Sequence, residues 1–186
     1  MFTKTLAATF LLAIAGVSAI PTPVANNDWP TQTTPDEKKI THTVVAGLGG
    51  LRFDPDNVVA EKGSIVEFHF LPRNHAIAQS SFAKPCEPLE GGFYSGFNFM
   101  TAEGQADNVF QIEVTDPTTP IWYYCPQQNG NHCQNGMVGV INQNFDNQAF
   151  SLRAHRELAA NTAVSVIPPV EQGGSVIPNP NPLSGF

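Results

Sequence analysis

Between residues 41 and 141 the sequence consists of short apolar stretches separated by Gly, Pro, Asn and Asp. The strongest stretch, at residues 65–70, is rich in β-branched and aromatic side chains and ends shortly before Pro72. No amphipathic segments of helical length alternate with these stretches, as they would in a chain that builds a parallel sheet. The pattern therefore favours an all-β fold, a Greek-key β-sandwich, over an α/β fold.

The predicted strands are bounded by turn residues and are rich in Val, Ile, Phe, Tyr and Trp. In the stretch 108–114, Val109, Gln111 and Glu113 alternate with apolar residues, as expected for a strand with two different faces. The full set of predicted strands is 42–48, 51–53, 57–60, 65–70, 75–79, 108–114, 121–125 and 137–141.

The two ends of the chain differ from this central part. Lys4 is the only charge before an apolar run that ends in small residues, which is typical of a secretory signal. A stretch after it has four prolines and no periodicity, and a later stretch has helix formers without a breaker. The predicted organisation is a signal peptide at 1–19, a flexible leader at 20–39, one domain at 40–144, a helix at 145–160 and a disordered Pro/Gly-rich tail at 161–186.

The net charge of the chain restricts the classes of molecule that it can bind. The formal net charge is −7 and no basic cluster is present, which argues against nucleic acid as a partner. The early apolar run is too short to cross a bilayer, so no transmembrane segment is expected. We expect a secreted, extracellular monomer, with association to a cell wall left open.

The chain has three cysteines and is expected to mature in an oxidising compartment. If two of them form a disulfide, one free thiol remains. An exposed free thiol would be oxidised outside the cell, so a metal ligand is the first alternative to consider. The cysteines are Cys86, Cys125 and Cys133.

One loop carries several metal-ligating side chains. A predicted strand delivers Cys125, a turn follows, and His132 and Met137 come five residues apart, with Gly136 supplying backbone freedom between them. Thiolate, imidazole and a weak thioether, completed by a second imidazole, form the set that selects copper.

The second imidazole is assigned to His75, which follows a turn at the end of the strongest strand. His69 lies within that strand, and alternation places it with Glu67 on the less apolar face, where a structural role is expected. His42 and His155 are also interpreted as structural.

The loop contains a second cysteine, Cys133, whose direction depends on that of its neighbour. If His132 faces the metal, Cys133 points away and can pair with Cys86, which leaves Cys125 as ligand. A disulfide between Cys125 and Cys133 would abolish the site, and the sequence alone does not exclude it.

Residues 41–142 resemble a cupredoxin of the phytocyanin-like kind, in particular the secreted cupredoxin-domain proteins of fungi. Phytocyanin-like proteins place a cysteine directly after the second ligand histidine and pair it with one downstream of the first, and Cys133 and Cys86 match both places. The resemblance implies one copper ion at one end of a Greek-key β-sandwich. The segments that carry it are Phe53-Asp54-Pro55, Val66-Glu67-Phe68-His69-Phe70, Arg73-Asn74-His75, Ser81-Phe82-Ala83-Lys84-Pro85-Cys86, Trp122-Tyr123-Tyr124-Cys125 and His132-Cys133-Gln134-Asn135-Gly136-Met137-Val138-Gly139-Val140.

One feature departs from the resemblance. Six residues separate Cys125 from His132, more than in plant relatives, and loop length tunes the exposure and axial bond of the copper.

The leading functional hypothesis is outer-sphere electron transfer by a secreted type 1 copper protein with an unidentified redox partner. Extracellular copper binding, storage or delivery, and an interaction module of the cell surface, are the alternatives. No enzymatic activity is expected, because a multicopper oxidase needs more histidines than the five present and no other catalytic motif stands out.

Overall fold

A computed structural model describes residues 39–184, so the predicted signal peptide and nearly all of the predicted leader lie outside the described residues. The described chain is built of short strands and one helix, as expected from its punctuation by turn residues. In chain order the elements are β1 (Thr41–Ala46), β2 (Phe53–Asp54), β3 (Asn57–Val58), β4 (Ile65–Phe70), β5 (Ala78–Ser80), β6 (Asn108–Glu113), β7 (Ile121–Tyr124), β8 (Val138–Ile141), α1 (Leu152–Ala160) and β9 (Ser175–Pro178).

The strands form two mixed sheets. One has five strands in the order β2-β1-β4-β6-β9, and the other has four in the order β3-β8-β7-β5. β1 pairs in parallel with β4, and β3 with β8, whereas the remaining pairs are antiparallel. The predicted β-sandwich is confirmed. The strand predicted at 75–79 begins only at Ala78, because the N–H of Ile77 bonds to the Ser95 hydroxyl (2.9 Å) instead of entering a ladder.

The core lies between the two sheets and is rich in aromatic rings. Phe68 of β4 meets Tyr123 of β7 edge to face, with ring centroids 5.3 Å apart, and Phe53 lies against the same tyrosine at 5.0 Å. All three side chains are buried. Because side chains alternate along a strand, the inward direction of Tyr123 also turns Cys125 toward the core side.

The opposite face of the four-stranded sheet is covered by α1. Trp122 and Tyr124 of β7 form a second apolar cluster there with Leu152 and Ala159 of the helix. Ser151 caps the helix by accepting the N–H of Ala154. A 3-10 turn at Gln148–Phe150 precedes α1, so the helix begins later than the predicted residue 145. Within residues 39–184, no helix combines the length and the hydropathy that crossing a membrane requires.

The outward side of β4 is also buried and carries a polar network. His69 Nε2 lies 2.7 Å from Glu67 Oε1, and its Nδ1 lies 2.7 Å from Gln105 Oε1. Gln111 donates to Glu67 Oε2 at 2.6 Å. The Gln105 amide in turn donates to the backbone oxygen of Ser184 at 2.7 Å. His69 therefore has the structural role that was expected. Through Gln105, the network that contains it binds the C-terminal segment.

The C-terminal segment is ordered, and the prediction of a disordered tail beginning at residue 161 is wrong for the described part. β9 adds a fifth strand by pairing antiparallel with β6, with Ile177 opposite Val109. Upstream, the N–H of Val166 bonds to the Cys86 carbonyl (2.9 Å) and the Tyr124 hydroxyl donates to the Val166 carbonyl (2.6 Å). Order here comes from backbone pairing with an open sheet edge rather than from buried apolar side chains.

We predict that deleting residues 175–186 lowers the free energy of unfolding by roughly 2–4 kcal/mol, because several hydrogen bonds worth about 1 kcal/mol each are lost. Urea denaturation followed by tryptophan fluorescence measures this. Leu183→Ser, which changes a side chain that is 94% exposed, is the matched control and should leave the midpoint unchanged. An unaltered midpoint in the deletion variant would show that β9 contributes nothing.

Candidate metal centre

Two adjacent strands place Cys125 and Met137 side by side. Cys125 directly follows β7 and Met137 directly precedes β8, and the N–H of Cys125 donates to the Met137 carbonyl at 3.0 Å. Both side chains are fully buried within the cluster between the sheets. The pairing of β7 with β8 therefore brings a thiol and a thioether to the same end of the sandwich.

The loop between these strands folds back on itself. The N–H of His132 donates to the Gln127 carbonyl (3.2 Å), and the N–H of Met137 donates to the His132 carbonyl (3.0 Å). Gly136, with φ +91°, lets the chain reverse between His132 and Met137. The long interval between Cys125 and His132 is thus taken up by a hydrogen-bonded turn.

The structure brings His75 to the same point from the other sheet, through the turn that follows β4. The ligand atoms of His75, Cys125 and His132 all lie within 4.8 Å of one another. Cys125 Sγ is 3.4 Å from His132 Nδ1, and the two imidazole rings have centroids 4.9 Å apart. Among residues 39–184, this is the only group of three or more His, Cys, Asp or Glu side chains with such spacing.

The burial of these groups fits a metal ion. Cys125 is fully buried, His75 is 3% exposed and His132 is 8% exposed. His75 Nδ1 is shielded from solvent and has no hydrogen-bond partner in the described part of the chain. A buried nitrogen without a partner is unfavourable unless something binds it. One thiol, two imidazoles and a neighbouring thioether form a donor set suited to copper.

Burial also sets the protonation of these groups. Loss of solvent raises the pKa of Cys125 to about 12, although N–H groups of Ala76 and Gln127 act in the opposite direction. Burial, together with nearby His75, lowers the pKa of His132 to about 4. Burial lowers the pKa of His75 as well, although its interaction with the Pro72 carbonyl acts in the opposite direction. At neutral pH the metal-free site holds a thiol and two neutral imidazoles.

The other cysteines form a disulfide, Cys86–Cys133, and Cys125 is free. The alternative bond between Cys125 and Cys133 is not present. Cys133 lies in the cluster beneath α1 while His132 faces the site, as predicted, but the two residues are in a hydrogen-bonded turn and not in the extended backbone that the prediction assumed.

The remaining histidines lie away from this group. His42 is on β1, and His155 is buried on α1, where its Nδ1 lies 3.1 Å from the Phe82 carbonyl. With His69 in its own network, the structure separates these three from the group around Cys125.

Sequence reasoning missed the contribution of Gly47. A Cβ at this position, which has φ +93°, would lie 2.6 Å from His75 Nε2. The turn after β1 therefore packs directly against the imidazole ring. A glycine in a turn is too common for its sequence signal to identify such a contact.

We predict that Gly47→Ala weakens Cu(I) binding by at least about tenfold, because the added methyl displaces the His75 ring by more than the site tolerates. Gly49→Ala is the matched control: it has φ +66° in the same turn, but its Cβ meets nothing within 4 Å. Competition against a Cu(I) chelator gives both affinities. Equal affinities in the two variants would contradict the role given to Gly47.

A second prediction concerns protons. At pH 7 the Cys125 thiol, with a pKa of about 12, must lose its proton to bind a metal, whereas His132, with a pKa of about 4, is already neutral. Binding of Cu(I) is therefore expected to release one proton, and the affinity to fall about tenfold per unit of pH decrease.

Calorimetry in two buffers of different ionisation enthalpy measures the protons released. The Cys125→Ser variant is expected to release none. Release of no proton by the unmodified chain would show that the sulfur is already ionised, and release of two would show that a histidine is protonated.

Searches of known proteins add an independent observation. No family model matches the chain. The chain is 34% identical over 137 residues to "Probable GPI-anchored cupredoxin-1" of Arthroderma benhamiae, which covers 74% of this chain and 68% of the relative. It is 38% identical over 112 residues to "Extracellular serine-rich protein" of the same organism, which covers 59% of this chain but only 42% of that relative.

Solved structures with a similar arrangement include a mutant plastocyanin of fern, at 19% identity and TM-score 0.36, matched over 54% of this chain and 97% of that one. A pseudoazurin of Hyphomicrobium denitrificans is 20% identical with TM-score 0.35, over 54% of this chain and 73% of that one. The family is assigned from the first fungal relative, because its sequence identity to this chain is high enough and the match covers more than two thirds of both chains. The chain belongs to the cupredoxin family.

Proposed function

We propose that this cupredoxin binds one copper ion through His75, Cys125 and His132, with Met137 as a weak axial ligand, and that it transfers electrons. The observation that carries the proposal is the convergence of two imidazoles and one reduced thiol within 4.8 Å at a buried point. A copper ion held by such a set exchanges one electron reversibly, because the geometry suits both of its oxidation states.

The chain itself contributes rigidity and the exclusion of water. Cys125 and Met137 are joined through the β7–β8 ladder, and both are fully buried. The disulfide of Cys133 fixes the residue next to His132. Little rearrangement is then needed when the charge of the site changes, and a dry shell around the ligands tunes the site's potential.

Electrons would enter and leave by way of His132. Among the three residues whose ligand atoms converge, His132 is the least buried, at 8% exposed, and it lines the depression at this end of the sandwich. The thiol of Cys125 is shielded completely. An imidazole that borders the depression shortens the distance to a partner without opening the sulfur to oxidants.

We also propose that the protein acts outside the cell, as a secreted monomer that is not an enzyme, binds no nucleic acid and has an unidentified redox partner. A disulfide within the domain favours an oxidising compartment. The names of the two fungal relatives, one GPI-anchored and one extracellular, support a location at the cell surface or beyond it. The same two names are consistent with attachment of the protein to the cell wall or to a lipid anchor.

We predict that loading with Cu(II) gives a 1:1 complex with an intense visible thiolate-to-copper band, which disappears on reduction and returns on reoxidation. Cys125→Ser should remove the band completely, because the charge transfer originates on that sulfur. His42→Ala is the matched control, since that histidine lies on β1 outside the site, and it should keep the band.

A copper complex without this band would overturn the proposed ligand set. A band that does not recover after a cycle of reduction and oxidation would leave copper binding intact but contradict electron transfer. Storage or delivery of copper would then be favoured.

A further inference from the structure

A depression of about 340 Å³ opens at the end of the sandwich where β1, β4 and β7 finish. Its walls come from the turns that follow these strands, and His75 and His132 form part of its lining. The volume falls in the range of sites that hold small molecules. Its lining is about equally polar and apolar, and it contains neither an aromatic residue other than histidine nor a carboxylate.

Arg73 is the one residue of this lining with a permanent charge. Its guanidinium is exposed and has no carboxylate partner among residues 39–184, although its backbone is fixed by a hydrogen bond from the Thr101 N–H at 3.0 Å. The other arginines of the described chain are all paired: Arg52 with Asp54, Arg153 with Glu157 and Arg156 with Asp56. An unpaired arginine that lines a concave surface is free to bind an anion.

Two amide side chains extend the set of donors. Gln127 Oε1 accepts the backbone N–H of Asn129 at 3.0 Å, so the NH2 end of Gln127 is directed away from that bond. Neither this NH2 group nor the side chain of Asn129 has a hydrogen-bond partner in the described part of the chain. The lining thus offers one guanidinium and two amides that can donate.

We propose that this depression binds a small organic carboxylate, with Arg73 gripping the carboxylate through two parallel hydrogen bonds and Gln127 and Asn129 donating to further oxygens. The planar guanidinium matches the two oxygens of a carboxylate. A small ligand is favoured, because the depression holds only about 340 Å³. A carboxylate bound in the depression would cover the side on which His132 lines it, so it would slow electron exchange, a consequence that rests on the proposed function.

The binding itself is tested on the full-length metal-free chain, where a carboxylate cannot simply coordinate copper. Titration with malate, followed by backbone amide NMR shifts, should give saturable changes at residues that line the depression. Arg73→Gln is expected to raise the dissociation constant at least about tenfold. Arg153→Gln, which removes an arginine from α1, is the matched control and should leave the constant unchanged.

Arg73→Lys keeps the positive charge but loses the planar guanidinium that makes two parallel hydrogen bonds, so this variant should also bind malate more weakly than the unmodified chain. It replaces Arg73→Gln in the test if that variant does not fold. Butane-1,2,4-triol, which has the size of malate without its carboxylates, should not bind. Equal affinity in the unmodified chain and the Arg73 variants would overturn the proposal. Tighter binding of inorganic phosphate or of the triol than of malate would overturn it as well. None of these outcomes depends on whether the chain binds copper.

Discussion

The disulfide between Cys86 and Cys133 is the constraint on which the site depends. Cys133 immediately follows His132 in a hydrogen-bonded turn, in which the N–H of Asn135 donates to the Asn131 carbonyl and the N–H of Gly136 to the Cys133 carbonyl, each at 2.9 Å. Fixing Cys133 in the apolar cluster beneath α1 therefore leaves His132 turned to the opposite side, toward the end of the sandwich. The same bond removes two of the three thiols from competition, so that Cys125 stays reduced without an exposed position. One covalent link sets both the direction of an imidazole and which of the three sulfurs remains a free thiol.

The second constraint is the cost of burying the groups that remain. An imidazole nitrogen without a partner is unfavourable in a dry interior, and so is the thiolate form of Cys125, which is why burial raises the pKa of that thiol to about 12. The fold tolerates them because β7, β8 and the turn after β4 are held by the aromatic core around Tyr123. A metal ion would satisfy both groups at once, so binding free energy and folding free energy are coupled. The metal-free site is thereby preorganised, and little change in structure is needed when it is filled.

Local patterns in the sequence predicted most of the sandwich, because the strands are bounded by turn residues and are rich in β-branched and aromatic side chains. They also predicted the disulfide and the three side chains that converge around Cys125. They failed for the C-terminal segment, which has few large apolar residues and was interpreted as disordered. Its order comes from β9 pairing with the edge of β6 and from Gln105 bonding to Ser184, and such long-range backbone contacts leave no local signal. The close approach of Gly47 to the imidazole of His75 was missed for the same reason.

The central claim is that one sulfur and two imidazole nitrogens bind the metal together. X-ray absorption at the copper edge of the loaded protein tests it most directly, since it counts the scatterers around the ion. The account predicts a short shell of one sulfur and two nitrogens, with the sulfur lost in Cys125→Ser. A shell of nitrogen and oxygen alone in the unmodified protein would contradict it.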